Sequence, residues 1–282
     1  MESIIKESLL IFLQNQNTIS SNQFGFLPGR STILQMINVM NYWTEAIDGG
    51  NHIDVIYCDF MKAFDKVPHK RLLKVLQYYK IPNNLVKWIS DFLSKRRQRV
   101  FVNGSTSEWY DVLSGVPQGS VLGPILFVLY INTLPEEVQH SQLFLFADDN
   151  KLLNKIYKDL NSNLLQKDID NMFGWTKKSL LEFHPDKCFQ MSIRPKSKPQ
   201  CSHIYQMNGE ELQYTSLHED LGIVIDEHLT FSHHISQKVN KANQIMGLIR
   251  RTITYLDEYN FKLLFVSLVR PHIEYGNSIW SP

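Results

Sequence analysis

Apolar positions along the chain alternate between a helical period and short continuous runs. Ile4–Leu13 repeats at the helical spacing, and Thr18–Arg30, holding Gly25, Pro28 and Gly29, breaks it. Ser31 or Thr32 can cap a helix that runs to about Asp48, where Gly49-Gly50 stops it. Ile53–Phe60 is nearly unbroken apolar sequence, as in a strand buried on both faces. Pro68 and Pro82 suit the first turns of helices ending near Tyr79 and Leu93. Asn103-Gly104, between Arg99–Val102 and Trp109–Leu113, predicts a hairpin. Leu122–Leu134 is helical in pattern but apolar all round, which marks a buried core helix; the run is too short to span a bilayer. Leu143–Phe146 and Lys151–Ile156 are strands joined by a tight acidic turn, and Leu160–Leu181 is an amphipathic helix. Strands near Phe189–Ile193, Tyr205–Met207 and Leu221–Ile225 follow, then helices over about 231–251 and 257–270. The Pro/Ser/Lys cluster Arg194–Gln200 is the clearest loop.

Helices interleaved irregularly with strand pairs indicate an α+β fold, not a doubly wound sheet or an eightfold barrel. The 282 residues leave room for two or three subdomains, and a 43% hydrophobic content supplies a core. A net charge of +1 gives no global basic signature, so any nucleic-acid contact must come from local patches. One is Lys95-Arg96-Arg97-Gln98-Arg99; another is 231–282, where six Lys and Arg face three acids. Cys58, Cys188 and Cys201 have no metal or redox spacing and read as free thiols of a reducing compartment. No signal-peptide pattern opens the chain. His233-His234 reads as a solvated pair rather than metal ligands.

The chemistry lies in acids at strand ends. His52–Asp59 and Gln142–Asp149 are apolar strands that each deliver carboxylate at one end. A bare Asp-Asp is more often an exposed turn, but a carboxylate against an apolar strand is costly to desolvate and needs water, a base or a metal. Phosphoryl transfer uses such a set, because two divalent cations about 4 Å apart activate the attacking hydroxyl and stabilise the leaving oxygen. Hard cations need carboxylates from more than one segment. Successive strand residues point to opposite faces, so Asp148 and Asp149 are unequal ligands unless the turn twists them.

Three blocks in order, Asp59-Phe60-Met61-Lys62-Ala63-Phe64-Asp65, Gly115-Val116-Pro117-Gln118-Gly119-Ser120 and Phe146-Ala147-Asp148-Asp149, resemble the reverse transcriptases of non-LTR (LINE-like, jockey-type) retrotransposons. Gln23-Phe24-Gly25-Phe26-Leu27-Pro28-Gly29-Arg30-Ser31-Thr32 resembles the family's fingers segment, and Phe183-His184-Pro185-Asp186-Lys187 its lysine-bearing block. Leu221–Asp226 is similar to its primer-contacting hairpin, and Arg270–Gly276 with Trp280-Ser281-Pro282 to its thumb. Leu27 stands where relatives often carry a basic residue, and Asn150 where Thr is usual.

The resemblance implies a right-hand polymerase fold: an antiparallel-sheet palm with helices packed on one face, partial fingers and a helical thumb. Partial fingers are expected from 1–50 and 81–109, the palm from 51–80 and 110–222, and the thumb from 223–282. It implies RNA-directed addition of dNTPs to a DNA primer 3′-hydroxyl on an RNA template, with Asp59, Asp148 and Asp149 holding two Mg²⁺, or Mn²⁺ in their place. Phe64 matches the aromatic residue under the incoming sugar, and Gln118 and Gly119 the block that contacts nucleotide and template. Lys187 matches a lysine near the triphosphate; Arg30 and the Lys95–Arg99 patch match phosphate contacts. Asp65, close to Pro68, reads as a turn or cap residue. The family's pattern also includes sequence upstream of Met1, a first fingers strand and an endonuclease. An inactive, RNA-binding remnant is therefore the alternative expectation. A maturase-like chaperone lacks its basic extension after Pro282, and Phe64 disfavours an RNA-making polymerase. Membrane association is not expected, and nuclear action follows from family habit alone.

Overall fold

A computed structural model of the chain describes residues 1–157, 159–198 and 203–281; Cys201 lies outside the described residues. Helices α1 (Glu2–Asn15) and α2 (Thr32–Asp48) come first. The Ser31 side chain accepts the Leu34 N–H and starts α2 as predicted, and Gly50, at φ +72°, turns the chain out of it. Strand β1 (His52–Cys58) is followed by α3 (Ala63–Lys66), α4 (His69–Tyr78) and α5 (Asn83–Leu93), the last two entered through Pro68 and Pro82.

The predicted hairpin forms as two short ladders. Of β2 (Arg97–Gln98), β3 (Phe101–Val102), β4 (Ser105–Thr106) and β5 (Tyr110–Asp111), β3 pairs with β4 and β2 with β5. Between them the Ser107 hydroxyl accepts the Val100 N–H at 2.9 Å, a side chain standing where a ladder carbonyl would. Helix α6 (Gly123–Ile131) is buried at every position from Ile125 to Ile131, which accounts for its lack of a polar face. Among the described residues no helix is long and apolar enough to cross a membrane.

The remaining elements are β6 (Gln142–Phe146), β7 (Asp149–Ile156), α7 (Asp159–Ser179), β8 (Phe189–Ile193), β9 (Gln206–Met207), β10 (Glu210–Glu211), β11 (Gln213–Tyr214), β12 (Leu217–Asp220) and β13 (Ile223–Asp226). Leu221 is a turn residue, not the first residue of a strand. It stands at φ +48° beside Gly222 at +83°, and β12 precedes it. Helices α8 (Ser232–Thr252) and α9 (Glu258–Leu264) follow, with a π-turn at Phe265–Val269 interrupting the expected last helix before α10 (Arg270–Glu274) and α11 (Asn277–Trp280). The expected solvated histidine pair is split by helical geometry. His233 is exposed, while His234 is fully buried and its Nδ1 accepts the Val224 N–H at 3.1 Å.

Five strands form the central sheet in the order β11-β8-β1-β7-β6, antiparallel throughout except for the two-residue β11 beside β8. β1 lies at its centre, and its side chains alternate between two cores. Ile56 and Cys58 join the larger core with α1, α4, α5, α6 and α7. Ile53, Val55 and Tyr57 join the second with α2, β13 and Ile279. The main helical layer thus sits on one face, and α2 with the β12–β13 hairpin covers the other. Each fully buried Leu or Ile in these layers contributes about 1.5–3 kcal/mol. Asp54, a buried carboxylate in the middle of β1, is satisfied by the hydroxyls of Ser192 and Tyr205, both at 2.6 Å.

Candidate active site

Pairing register brings the acids together. Cys58 is opposite Asn150 in the last β1–β7 pair, so one further step sets Asp59 across from Asp149. On the other side of β7, Phe146 closes on Asp149, leaving Ala147 and Asp148 as the two-residue turn. Past Asp59 the chain pairs with the loop after α7: the Met61 N–H donates to Glu182 O, the His184 N–H donates to Asp59 O, and Phe60 stacks on Phe183 at 4.7 Å. That pairing carries Lys187 to Asp59, where Nζ meets Oδ2 at 2.7 Å.

The electrostatics are those of crowded carboxylates. Asp148 is half-buried and its carboxyl is held above the ordinary range, first by desolvation and then by Asp59. Desolvation, then the charges of Asp148, Asp220 and Asp59, push Asp149 from 3.8 to about 6. The hydrogen bond to Asp59 raises the exposed Lys187 ammonium above its usual value. Among the described residues no three acids, histidines or cysteines are arranged to grip an ion as they stand. Instead the Asp59 carboxylate is turned onto the lysine. The donor set nevertheless suits a hard divalent cation: oxygen ligands from two segments, mutually repelling, with a cation already compensating one of them.

The flanking residues form a second layer. Phe64, on α3, is partly buried, stacked on Phe127 at 4.4 Å and edge-on to Phe26 at 6.2 Å. The 114–118 loop is strapped to α3. The Val116 N–H donates to Phe64 O, and the Ser114 hydroxyl to Asp65 O. A Cβ on Gly115 would fall 2.7 Å from the Asp65 carbonyl oxygen. Asp65 is more than a turn residue, since its Oδ1 accepts the Gln118 side-chain N–H at 2.9 Å and fixes that exposed amide. Gly119 has open space where a Cβ would go, so its φ of +81° is the reason for glycine there.

Arg30 is engaged locally: Nη1 donates to Ser21 O at 2.6 Å and the guanidinium lies 4.7 Å from the Phe24 ring centre. The Lys95–Arg99 patch is exposed, with Arg97 and Arg99 over Trp109. Two contributors escape a reading of the sequence. Gln23 reaches the acidic turn from β6's outer edge. Lys151, two residues past Asp149, is buried in an ion pair with both oxygens of Asp220 on the β12–β13 hairpin. For Lys151 a signal existed: a charge in the middle of an apolar strand demands a partner.

The family described as reverse transcriptase (RNA-dependent DNA polymerase) matches residues 1–256. The chain belongs to the reverse transcriptase family. Its relatives include a probable RNA-directed DNA polymerase from transposon BS of Drosophila melanogaster, 28% identical over 99% of this chain and 32% of the relative. The RNA-directed DNA polymerase from the mobile element jockey of the same fly is 31% identical over 84% of this chain and 26% of its own length. The chain thus spans about a third or less of these two relatives, and the second carries the name of the jockey-type elements that the sequence motifs resemble. Among solved structures, Candida tropicalis apo telomerase superposes with a TM-score of 0.56 at 11% identity, over 80% of this chain and 40% of that one. The same telomerase with a fragment of telomeric RNA gives 0.52 at 12% identity, over 97% and 45%. This reverse transcriptase chain therefore has the right-hand polymerase fold.

Proposed function

We propose that this chain is the catalytic core of an RNA-directed DNA polymerase that extends a DNA primer with dNTPs on an RNA template. The observation that carries the reading is the register at the sheet's end, which sets Asp59 across from Asp149, with Asp148 in the turn and Lys187 on Asp59. Asp59, Asp148 and Asp149 would hold Mg²⁺, or Mn²⁺ in its place. When bound, the metal lowers the cost of charge on the attacking hydroxyl and on the leaving pyrophosphate.

The protein's own groups orient the substrates. Lys187, exposed beside Asp59, offers its ammonium to the triphosphate as a charge or as a general acid. Phe64, braced by Phe127, stands under the sugar and excludes a 2′-hydroxyl. Gln118, fixed by Asp65, and Gly119 meet nucleotide and template. Arg30 and the Lys95–Arg99 patch contact phosphates of the template or the nucleotide, so binding is salt-sensitive and mostly independent of sequence. Residues 1–50 and 81–109 are assigned to partial fingers, 51–80 and 110–222 to the palm, and 223–282 to the thumb.

Primer extension on a primed RNA template with dNTPs and Mg²⁺, beside an Asp148→Ala control, tests the reading. Extension by the native chain and its loss in the variant supports it. A folded native chain that extends no primer overturns it in favour of an inactive remnant.

A further inference from the structure

The Gln23–Gly25 segment lies against the acidic turn. Residues 22–24 run parallel to the outer edge of β6: the Leu145 N–H donates to Asn22 O at 2.9 Å, and the Phe24 N–H to Leu145 O at 2.7 Å. This places Gln23, 1% exposed, beside the turn, where its Oε1 accepts two backbone N–H groups, from Gly25 at 2.7 Å and Ala147 at 2.9 Å. Ala147 is 3% exposed and has φ +53°, a left-handed backbone that alanine adopts poorly. Its N–H is not part of the β6–β7 ladder, so without Gln23 it would be an orphaned buried donor. Gly25 closes the contact, because a Cβ there would stand 2.4 Å from the Ala147 nitrogen and 3.1 Å from the Phe146 carbonyl carbon.

We infer that Gln23 is a positioning residue for the metal site: its amide oxygen fixes the Phe146–Ala147 peptide, immediately before the Asp148-Asp149 pair from which the carboxylates project. The inference rests on the polymerase reading for its catalytic consequence, but not for its effect on cation binding. Gln23 touches no reacting atom. It acts through the Phe146–Ala147 peptide, whose rotation would swing Asp148 relative to Asp59. A site that must be held within about half an ångström is sensitive to such a rotation. Among the described residues only the oxygen of the Gln23 amide is engaged, since Nε2 meets no acceptor.

Two variants test this on the full chain. Gln23→Met keeps length and bulk and removes the acceptor; Gln23→Glu keeps an acceptor oxygen at the same reach. Mn²⁺ binding is titrated by electron paramagnetic resonance, and primer extension gives kcat and the dNTP KM. For Gln23→Met, Mn²⁺ affinity is expected to fall at least about tenfold and kcat roughly 10–100-fold, with dNTP KM within about twofold. Gln23→Glu is expected to restore most of both. Native Mn²⁺ binding and kcat in a folded Gln23→Met protein overturn the inference. If Gln23→Met does not fold, Gln23→Glu decides: retained Mn²⁺ binding supports the inference, and binding as weak as in Asp148→Ala overturns it. Should the native chain bind Mn²⁺ through Asp148 yet extend no primer, the polymerase reading fails while the Mn²⁺ titrations still judge Gln23.

Discussion

The Asn103-Gly104 and Ala147-Asp148 turns both reverse the chain between antiparallel strands, and both begin with a positive φ, +50° at Asn103 and +53° at Ala147. The first is solved locally. Asn and Gly adopt that backbone at little cost, the turn lies in solvent, and the four-residue ladder around it is exposed. The second is solved from a distance. Alanine is a poor choice, the residue is buried, and its N–H is received by a side chain from a remote segment of the chain laid along β6's outer edge. A turn that depends only on its own residues can be re-registered or lost without wider effect. One held by the surrounding fold keeps its position as long as the fold stands, which is what crowded carboxylates require.

The largest effect that sharpens this contrast is on activity. Asp148→Ala is expected to cut primer extension by at least about 100-fold while leaving the melting temperature at or above the native value, because it removes a repelled carboxylate. A drop in melting temperature instead would mean that Asp148 supports the turn as well as the chemistry. Next is Lys151→Met, which strands Asp220 without its partner and is expected to destabilise the fold by about 3–5 kcal/mol in chemical denaturation. The double variant Lys151→Met/Asp220→Leu is expected to recover most of that loss. If it does not, the ion pair contributes more than mutual compensation.

On the exposed turn, Gly104→Ala forces a Cβ into φ +83° and is expected to cost about 1 kcal/mol. Mn²⁺ affinity should stay unchanged; a weakened metal site would erase the distinction between the two turns. The smallest effect concerns Asp149, which solvent partly screens. Its folded pKa of about 6 lies above the ordinary 3.8, so the folded state binds this proton more tightly than the unfolded chain does. Protonation between those values favours the fold, and the contribution is lost as pH rises through 6. Metal-free Asp149→Asn is therefore expected to be slightly more stable than native at pH 8, with the gap closing by pH 4. The same proton competes with cations, so native Mn²⁺ affinity is expected to fall below pH 6.

The sequence carried the fold class, β1, α6, the acid-bearing strands and the three motif blocks, because each rests on a local period or an ordered motif. Ser31 and the two prolines marked helix starts correctly for the same reason. What it hid was pairing between remote segments. Nothing near Gln23 says that its amide reaches Ala147, and nothing near Asp65 says that it orients Gln118. β12 was missed because Leu217–Asp220 is polar and short, and its identity comes from β13 across a turn that Leu221 adopts against preference. His234 was misread because the pair was judged by composition, whereas a helix turns adjacent residues about 100° apart. The unequal strand positions of Asp148 and Asp149 were legible, but their electrostatic ranking was not, since it depends on Asp220 and Lys151 arriving from elsewhere.

The sheet's second face is closed by residues far apart in the chain. The Tyr275 hydroxyl meets Thr32 Oγ1 and Leu221 O, and Ile279 packs with Met36 and Val55. During synthesis the ribosome delivers α2 and β1 long before Ile279. Through most of translation, the apolar stripe of α2 is therefore a hydrophobic surface awaiting its cover. A chain cut short before Ile279 would keep its acids yet leave that apolar stripe without its cover.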